Sequence, residues 1–295
     1  MRRSFADGFT AVDQFIFHNN RIASAADVRI EPTSAGLLYG WGVFTTLRVF
    51  RGAPFQLDRH WDRLVRHAEI AEIPLPISLP DVRRAFDNLI KANILQNGRA
   101  RVTLLRGDAG AWRLGPSRQS DLLIFTSSEE PKAASPIAIT VSPHRVLSHG
   151  PLAGVKRTAM LENLLALEEA RERGFSEAIM VNERGEITGA AAANVFWTEG
   201  SELCTPSLGA GCISGITRGI VHEIAEGAGL HVVEGGFPIQ RLLDANEVFL
   251  TSTARGISAV SSFDIKRYNI ARARVTRMIA REFQKMIRGA KISAS

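Results

Sequence analysis

A glycine-rich stretch at residues 205–221 has the features of an anion-binding loop. It reads TPSLGAGCISGITRGIV and passes from three glycines into a segment whose apolar residues recur at helical spacing. Glycine lets the backbone approach a ligand closely, and the first N–H groups of a helix are unpaired and lie at its positive end. The stretch predicts a phosphate site at Gly215, Ile216 and Thr217. The alternative is an ordinary glycine-rich turn before a capped helix.

Lys156 is the first candidate for a nucleophile. It follows small and apolar residues at 152–155 and precedes a predicted helix. A lysine in partly apolar surroundings loses basicity and can form a Schiff base with a carbonyl group. The alternative is a lysine whose stem packs at a strand end while its amine stays in water.

Two further places have residue types that bind phosphate. Arg63 lies three residues after His60 on a predicted helix, and a Thr-Ser-Thr run at 251–253 ends a predicted strand. Arginine binds phosphate with a planar fork of donors, and hydroxyl groups with backbone N–H groups complete a cradle. Each signal is weak alone, and the His60–Arg63 pair is also typical of a salt-bridged helix face.

These candidates must be positioned by helices and strands that follow no regular βαβ alternation, which favours an α+β or mixed α/β fold. The polar run SSEEPKAAS at 127–135 predicts a linker between an N-terminal α/β domain at 1–126 and a C-terminal α/β domain at 136–295. The C-terminal domain would carry Lys156 and the glycine-rich loop. Residue patterns predict strands at 14–18, 20–30, 43–50, 100–105, 121–125, 137–141, 178–182, 187–197 and 247–251, and helices at 57–70, after Pro80 and at 160–173.

Composition narrows the class of protein. The 295 residues are 45% hydrophobic and 22% charged, as in globular proteins. The net charge is +6, but the basic residues near the C-terminus alternate with an apolar helical stripe, so nucleic-acid binding is not expected. The chain has no apolar run long enough to predict a transmembrane helix, and its start lacks the apolar core of a signal peptide. Because the two cysteines and seven histidines show no ligand spacing, we expect a reduced, cytoplasmic protein without a metal site.

The order of these pieces resembles that of the class IV aminotransferases, the fold-type IV enzymes that use pyridoxal 5'-phosphate (PLP). The resemblance runs from about residue 37 to residue 260. Seven blocks in one order make a far more specific signal than one motif. The blocks are YGWGVFTTLRV, HWDRL, LLRGD, GVKRTAMLENLLALEEA, SEAIMVNERGEITGAAAANVFW, SGITRGIVHEIA and ANEVFLTSTARGISAV.

The resemblance implies a two-domain fold-type IV architecture with PLP as cofactor, and a homodimer that acts on a small-molecule substrate. It implies that Lys156 forms the internal aldimine with PLP, while other residues hold the phosphate or lie near the ring. The positions that match these cofactor-binding roles are Arg63, Asn194, Gly215, Ile216, Thr217, Ser252 and Thr253.

Four positions match substrate-binding residues of the family. Tyr39, Phe44 and Arg101 correspond to residues that line the substrate pocket in branched-chain aminotransferases. Arg106, which precedes Gly107, resembles the arginine that D-amino acid aminotransferases use for the substrate carboxylate. The resemblance thus implies a substrate that carries a carboxylate.

One departure from the family pattern lies at Gly189. The family block reads V-T-E-G-x-x-x-N, with its glutamate facing the pyridine nitrogen of PLP, and counting back from Asn194 places Gly189 at that position. The carboxylate keeps the nitrogen protonated so that the ring accepts electrons, and without it we expect slower transamination. In a regular strand Glu186, three residues away, points to the other face and does not substitute, whereas a slip of one or two residues would change this.

A second departure leaves the substrate open. Branched-chain enzymes place a tyrosine shortly after the lysine, but KRTAMLEN has none and is spaced as in D-amino acid aminotransferases and aminodeoxychorismate lyases. The Thr45–Thr46 pair and Arg106–Gly107 also favour the lyases. We expect an aminotransferase-like enzyme acting on the amino group of a small amino acid. The alternatives are an aminodeoxychorismate lyase, which eliminates pyruvate to give 4-aminobenzoate, and a PLP-binding pseudoenzyme that lost turnover with the glutamate.

Overall fold

The computed structural model describes residues 12–107, 119–129 and 135–289. The chain divides into two compact units. The first comprises the described residues of Met1–Lys132 together with Val155–Ala159, and the second those of Ala133–Gly154 and Met160–Gly289. Lys156, which the sequence pattern placed in the C-terminal domain, groups with the first unit. The domain boundaries at 126 and 136 stay a prediction.

The first unit is built on a six-stranded antiparallel sheet with the strand order β2-β1-β6-β5-β3-β4. Its strands are β1 (Phe15–His18), β2 (Arg21–Ser24), β3 (Gly42–Phe50), β4 (Ala53–Pro54), β5 (Gly98–Arg106) and β6 (Ser120–Ser128). Its helices are α1 (Ala35–Leu38), α2 (Leu57–Ile70) and α3 (Leu79–Ala92).

Helix α2 packs on strand β3 because both present apolar residues at the spacing of their own structure. Leu47 on the strand and Trp61 and Leu64 on the helix are buried in one core cluster. The helix predicted at 57–70 is confirmed at its full length. Helix α3 begins at Leu79, so Pro80 lies in its first turn, where its missing N–H leaves no helical hydrogen bond unmade.

The second unit contains a nine-stranded mixed sheet with the order β12-β11-β10-β13-β14-β7-β8-β9, in which β15 pairs with β14. Its strands are β7 (Ile137–Val146), β8 (Glu177–Asn182), β9 (Ile187–Ala190), β10 (Asn194–Glu199), β11 (Glu202–Pro206), β12 (His231–Gly235), β13 (Glu247–Ser252), β14 (Gly256–Phe263) and β15 (Lys266–Arg267). Its helices are α4 (Leu161–Glu172), α5 (Ile216–Gly227), α6 (Gln240–Asp244) and α7 (Arg274–Gly289). None of the described helices is both long and apolar enough to cross a lipid bilayer.

The mixture of helices with antiparallel and mixed sheets confirms the α+β class. The strand predicted at 187–197 is two strands with a turn between them, and β11, β12 and β14 were not predicted. Strand β6 continues to Ser128, and residues 130–134 of the predicted linker lie outside the described residues.

Candidate active site

The Lys156 segment adds to the edge of the first unit's sheet beside strand β3. The backbone N–H of Phe44 donates to the carbonyl oxygen of Lys156 at 3.0 Å, and the N–H of Thr158 donates to that of Gly42 at 2.9 Å. Val155, one residue before the lysine, is buried in the core cluster of this unit. These contacts fix the backbone from which the Lys156 side chain extends.

The Lys156 amine lies over an aromatic ring. Its Nζ is 4.4 Å from the centroid of Phe44, a distance at which an ammonium group is attracted to the ring face. The guanidinium of Arg101 lies over the same ring at 3.7 Å. Phe44 therefore brings the predicted nucleophile and one predicted substrate-binding arginine together.

Arg63 is held by a buried polar network. Its side chain is almost fully buried, and its Nη2 donates to Thr45 Oγ1 at 2.8 Å. Thr45 Oγ1 is also 2.7 Å from His60 Nδ1, so one hydroxyl group joins the guanidinium to the imidazole. Burial and the nearby Arg66 lower the pKa of Arg63 to about 10, which leaves its guanidinium charged at neutral pH.

Two buried histidines share the helix face that carries Arg63. His60, Arg63 and His67 lie at the i, i+3 and i+7 positions of α2, a spacing that places them on one side of a helix. Burial and the positive charges of Arg63 and Lys156 lower the pKa of His60 well below its ordinary value. Burial and the charges of Arg63, Arg66 and Lys156 lower that of His67 to about 4. Both imidazoles are therefore neutral at physiological pH.

The sequence did not predict His67 or Thr45 as part of this site. The N–H of Lys156 donates to His67 Nδ1 at 3.0 Å, a contact between residues 89 positions apart in the chain. The spacing of His60, Arg63 and His67 was the available signal, but histidines at polar helix positions are common enough to hide it.

The other two predicted substrate residues lie elsewhere in the first unit. The Arg106 guanidinium packs on Trp41 at 4.1 Å from the ring, and its side chain is buried. Tyr39 follows helix α1 and is 49% exposed. Burial lowers the pKa of Arg101 to about 10, so this arginine stays charged beside Phe44 at neutral pH.

In the second unit, the glycine-rich loop meets Asn194 at the start of helix α5. Gly215 is the N-cap of this helix, and a side chain at 215 would collide with Asn194 Oδ1. Asn194 Nδ2 donates to the carbonyl oxygen of Ile213 at 2.9 Å. The first N–H groups of α5, from Ile216 onward, have no partner within the helix. The predicted anion site is thus a helix start at which glycine allows Asn194 to pack against the backbone.

The Thr-Ser-Thr run lies next to Asn194 through strand pairing. Asn194 on β10 faces Thr251 on β13, and Ser252 Oγ accepts from the N–H of Arg255 at 3.2 Å. Arg255 Nη1 is 3.0 Å from Oε2 of Glu177, whose side chain is fully buried. Three segments predicted from sequence, at 194, at 215–217 and at 251–253, therefore meet at one end of this sheet.

The backbone at Gly189 is not that of a regular strand. Met180 pairs with Gly189 but Val181 pairs with Ile187, so an extra residue, Thr188, bulges between them. Gly189 has a φ of +146°, and a Cβ placed there would lie 3.0 Å from the carbonyl oxygen of Ala193. The backbone at this position therefore favours glycine.

The carboxylate of Glu186 is hydrogen-bonded to other side chains. Its Oε2 accepts from Asn182 Nδ2 at 2.8 Å and from Arg184 Nε at 2.9 Å. The bulge at Thr188 breaks the regular alternation under which Glu186 was expected to point to the other face, so alternation alone does not decide its orientation. The carboxylate is nevertheless engaged by these two partners.

Comparison with known proteins identifies the family. The class IV amino-transferase family model matches residues 42–263, most of the chain. The chain belongs to the class IV aminotransferase family, as the seven blocks predicted. Members of this family use PLP.

Relatives with different activities are similar to this chain over most of its length. An aminodeoxychorismate lyase of Bacillus subtilis is 29% identical over 92% of this chain and 94% of its own. A putative branched-chain-amino-acid aminotransferase of Methanocaldococcus jannaschii is 29% identical over 84% of this chain and 88% of its own. A D-alanine aminotransferase of Bacillus licheniformis is 27% identical over 84% of this chain and 88% of its own.

Solved structures confirm the fold. The branched-chain amino acid aminotransferase of Escherichia coli superposes with a TM-score of 0.87, at 26% identity over 93% of this chain and 95% of that one. The branched-chain aminotransferase of the archaeon Thermoproteus uzoniensis, solved with norvaline, superposes with a TM-score of 0.89, at 24% identity over 95% of this chain and 96% of that one. The fold-type IV architecture predicted from the sequence is confirmed.

Proposed function

We propose that this chain is a PLP-dependent enzyme that acts on the amino group of a small amino acid, with Lys156 as the residue that binds the cofactor covalently. The observation that carries the proposal is the cluster around helix α2. There the Lys156 amine lies over Phe44, and the buried guanidinium of Arg63 lies on the helix face that also binds the Lys156 backbone.

The charges of this cluster fit a phosphate. Arg63 is charged and almost fully buried, while burial and neighbouring cations keep both histidines of the helix face neutral. A charged guanidinium binds a phosphate dianion through charge-assisted hydrogen bonds. We propose that Arg63, the first N–H groups of α5 at Gly215–Thr217, and the hydroxyl groups of Ser252 and Thr253 bind the phosphate, with Asn194 near the ring.

Bound PLP supplies a carbonyl group for a Schiff base and a conjugated ring that accepts electrons. Residues of this chain transfer the proton and bind the substrate. The Lys156 amine takes a proton from the substrate Cα and returns it, since it is the basic group nearest the point of attachment. Phe44 packs beside the amine and lines the substrate site with Tyr39 and Arg101, and Arg106 binds the substrate carboxylate.

The pyridine nitrogen of PLP has no carboxylate partner in this proposal. Residue 189 has no side chain, and Glu186 is bound to Asn182 and Arg184. A bound ring without a carboxylate partner would withdraw electrons less strongly, so we expect slow transamination.

The second candidate is an aminodeoxychorismate lyase. The Thr45–Thr46 pair favours it, because the lyases share this pair and Thr45 supplies the hydroxyl that joins Arg63 to His60. The similarity to the Bacillus subtilis lyase over 92% of the chain supports it as well.

Two substrate tests separate these functions. Purified protein with PLP is given 4-amino-4-deoxychorismate, and 4-aminobenzoate and pyruvate are measured. In parallel it is given amino acids with 2-oxoglutarate, and glutamate is measured. Glutamate that depends on Lys156 supports the aminotransferase, and 4-aminobenzoate alone overturns it in favour of the lyase. Neither product, with PLP bound, identifies a pseudoenzyme. Lys156→Ala is the control in each reaction.

We also propose a homodimer and a cytoplasmic location. Leu161, Leu164 and Leu165 on helix α4 are 67%, 46% and 52% exposed, and they form an i, i+3, i+4 apolar stripe. Such a stripe is typical of a surface that a second copy of the chain covers. Light scattering of the purified protein should give twice the monomer mass, and a monomer at micromolar concentration would contradict the proposal.

A further inference from the structure

We propose that His67 is a positioning residue that fixes the backbone of Lys156 relative to Arg63. The proposal rests on the proposed function, since it assigns to His67 a role in placing the cofactor-binding lysine. Neither the family blocks nor the candidate residues from the sequence include His67.

Both backbone polar groups of Lys156 are bound from within the first unit. Its N–H donates to His67 Nδ1 at 3.0 Å, and its carbonyl oxygen accepts from the N–H of Phe44 at 3.0 Å. His67 is only 8% exposed, so water competes little for this bond. The lysine is thus held on one side by a strand and on the other by the helix that carries Arg63.

The imidazole must be neutral to accept this hydrogen bond. The charged groups that face it are Arg63 and Arg66 of its own helix and Lys156 of the neighbouring segment, and all three are cations. With burial, they lower the pKa of His67 to about 4. At neutral pH the proton therefore lies on Nε2, and Nδ1 keeps the lone pair that the Lys156 N–H needs.

One face of α2 determines the positions of two groups proposed to bind the cofactor, the Arg63 guanidinium and the Lys156 backbone. Arg63 and His67 are four residues apart on α2, so they are neighbours about one turn apart on a rigid element. The carbonyl carbon and the phosphate of PLP are attached to one planar ring, so the groups that bind them must keep a fixed spacing. A single helix that holds the guanidinium and the lysine backbone supplies such a spacing better than two independent loops.

A matched pair of variants tests the hydrogen bond itself. Asparagine places Oδ1 at the same number of bonds from Cα as Nδ1 of histidine, whereas leucine has the same branching but no acceptor. In the apoprotein, we expect His67→Leu to raise hydrogen exchange of the Lys156 amide about fivefold or more, the factor for one lost hydrogen bond. His67→Asn should stay within about twofold of the unmodified protein. His222→Leu, in the other unit, is the control for loss of a partly buried histidine.

A second readout tests positioning with PLP bound. The His67→Leu holoprotein should show a shifted pH midpoint of the lysine-bound cofactor's absorbance and a lower kcat with a nearly unchanged KM, and His67→Asn should restore both. Exchange unchanged in both variants would overturn the proposal. An equal rise in both would also overturn it, because it would show that only the bulk of the imidazole matters. Absence of a lysine-bound cofactor in the unmodified protein would refute the proposed function but leave the exchange result as evidence on the His67 bond.

Discussion

Two regions of the molecule differ in how well their residues suit the proposed cofactor chemistry. One is the Lys156 cluster of the first unit, formed by Thr45, His60, Arg63, His67 and Lys156, and the other is the bulge next to Gly189 in the second unit. Around Lys156, the chain places two histidines and a threonine in a buried network, and every bond described there supports the lysine or Arg63. At Gly189, where the resemblance implies a glutamate, the backbone has a conformation that suits glycine. In the proposed function, the first region supplies the groups that bind the cofactor, whereas the second supplies no carboxylate.

The difference indicates which part of the chemistry the chain preserves. In the proposed function, the cofactor's carbonyl and phosphate are bound by Lys156, by the buried and charged guanidinium of Arg63, and by the first N–H groups of α5. In that proposal, protonation of the ring nitrogen would depend on a carboxylate at position 189, and glycine has none. We therefore expect firm cofactor binding with slow transamination.

The largest expected effect comes from breaking the Lys156 cluster at Arg63. Arg63→Leu removes the buried cation that pairs with the phosphate, and it should weaken PLP binding about a hundredfold, as for loss of a charge-assisted bond. Titration of the apoprotein with PLP by fluorescence measures this. Arg66→Leu, an exposed neighbour on the same helix, should change the affinity less than about threefold. Equal losses in both variants would show that only the summed charge of the helix matters.

A smaller effect is expected from introducing a carboxylate at position 189 with Gly189→Glu. Because φ is +146° and the added Cβ would approach Ala193, any side chain there destabilises the protein, by about 1–3 kcal/mol. Gly189→Gln therefore controls for Gly189→Glu. The glutamate variant should carry out half-transamination about tenfold faster than the glutamine variant. Stopped-flow absorbance measures it, and equal rates would show that our account of the missing carboxylate is wrong.

The smallest effect concerns the pH dependence of stability. In the unfolded chain His67 titrates near its ordinary pKa of 6.5, but in the folded protein near 4. Between these values the unfolded state binds more protons, so stability falls as the pH falls through this window. Between pH 7 and pH 6, His67→Asn should lose about 0.7 kcal/mol less of its unfolding free energy than the unmodified protein does. Urea denaturation measures this, with exposed His231→Asn as control, and parallel losses would refute neutral burial of His67.

Much of the site could be predicted from the sequence because its signals are local. The glycine loop before α5, the helix that carries Arg63 and the position of Lys156 each follow from residue types at short spacing. His67 and Thr45 could not be predicted in this way, because their roles come from contacts between distant parts of the chain. The bulge at Thr188 was also hidden, since it depends on how β9 pairs with β8 and not on the residues of β9 alone.

The account depends on a covalent bond between Lys156 and PLP. The most direct measurement is borohydride reduction of the protein mixed with PLP, followed by peptide mass spectrometry. The account predicts one phosphopyridoxyl group per chain, on the peptide that contains Lys156, and none in Lys156→Ala. A protein that remains unlabelled, or that is labelled at another lysine with Lys156 unmodified, would contradict the account.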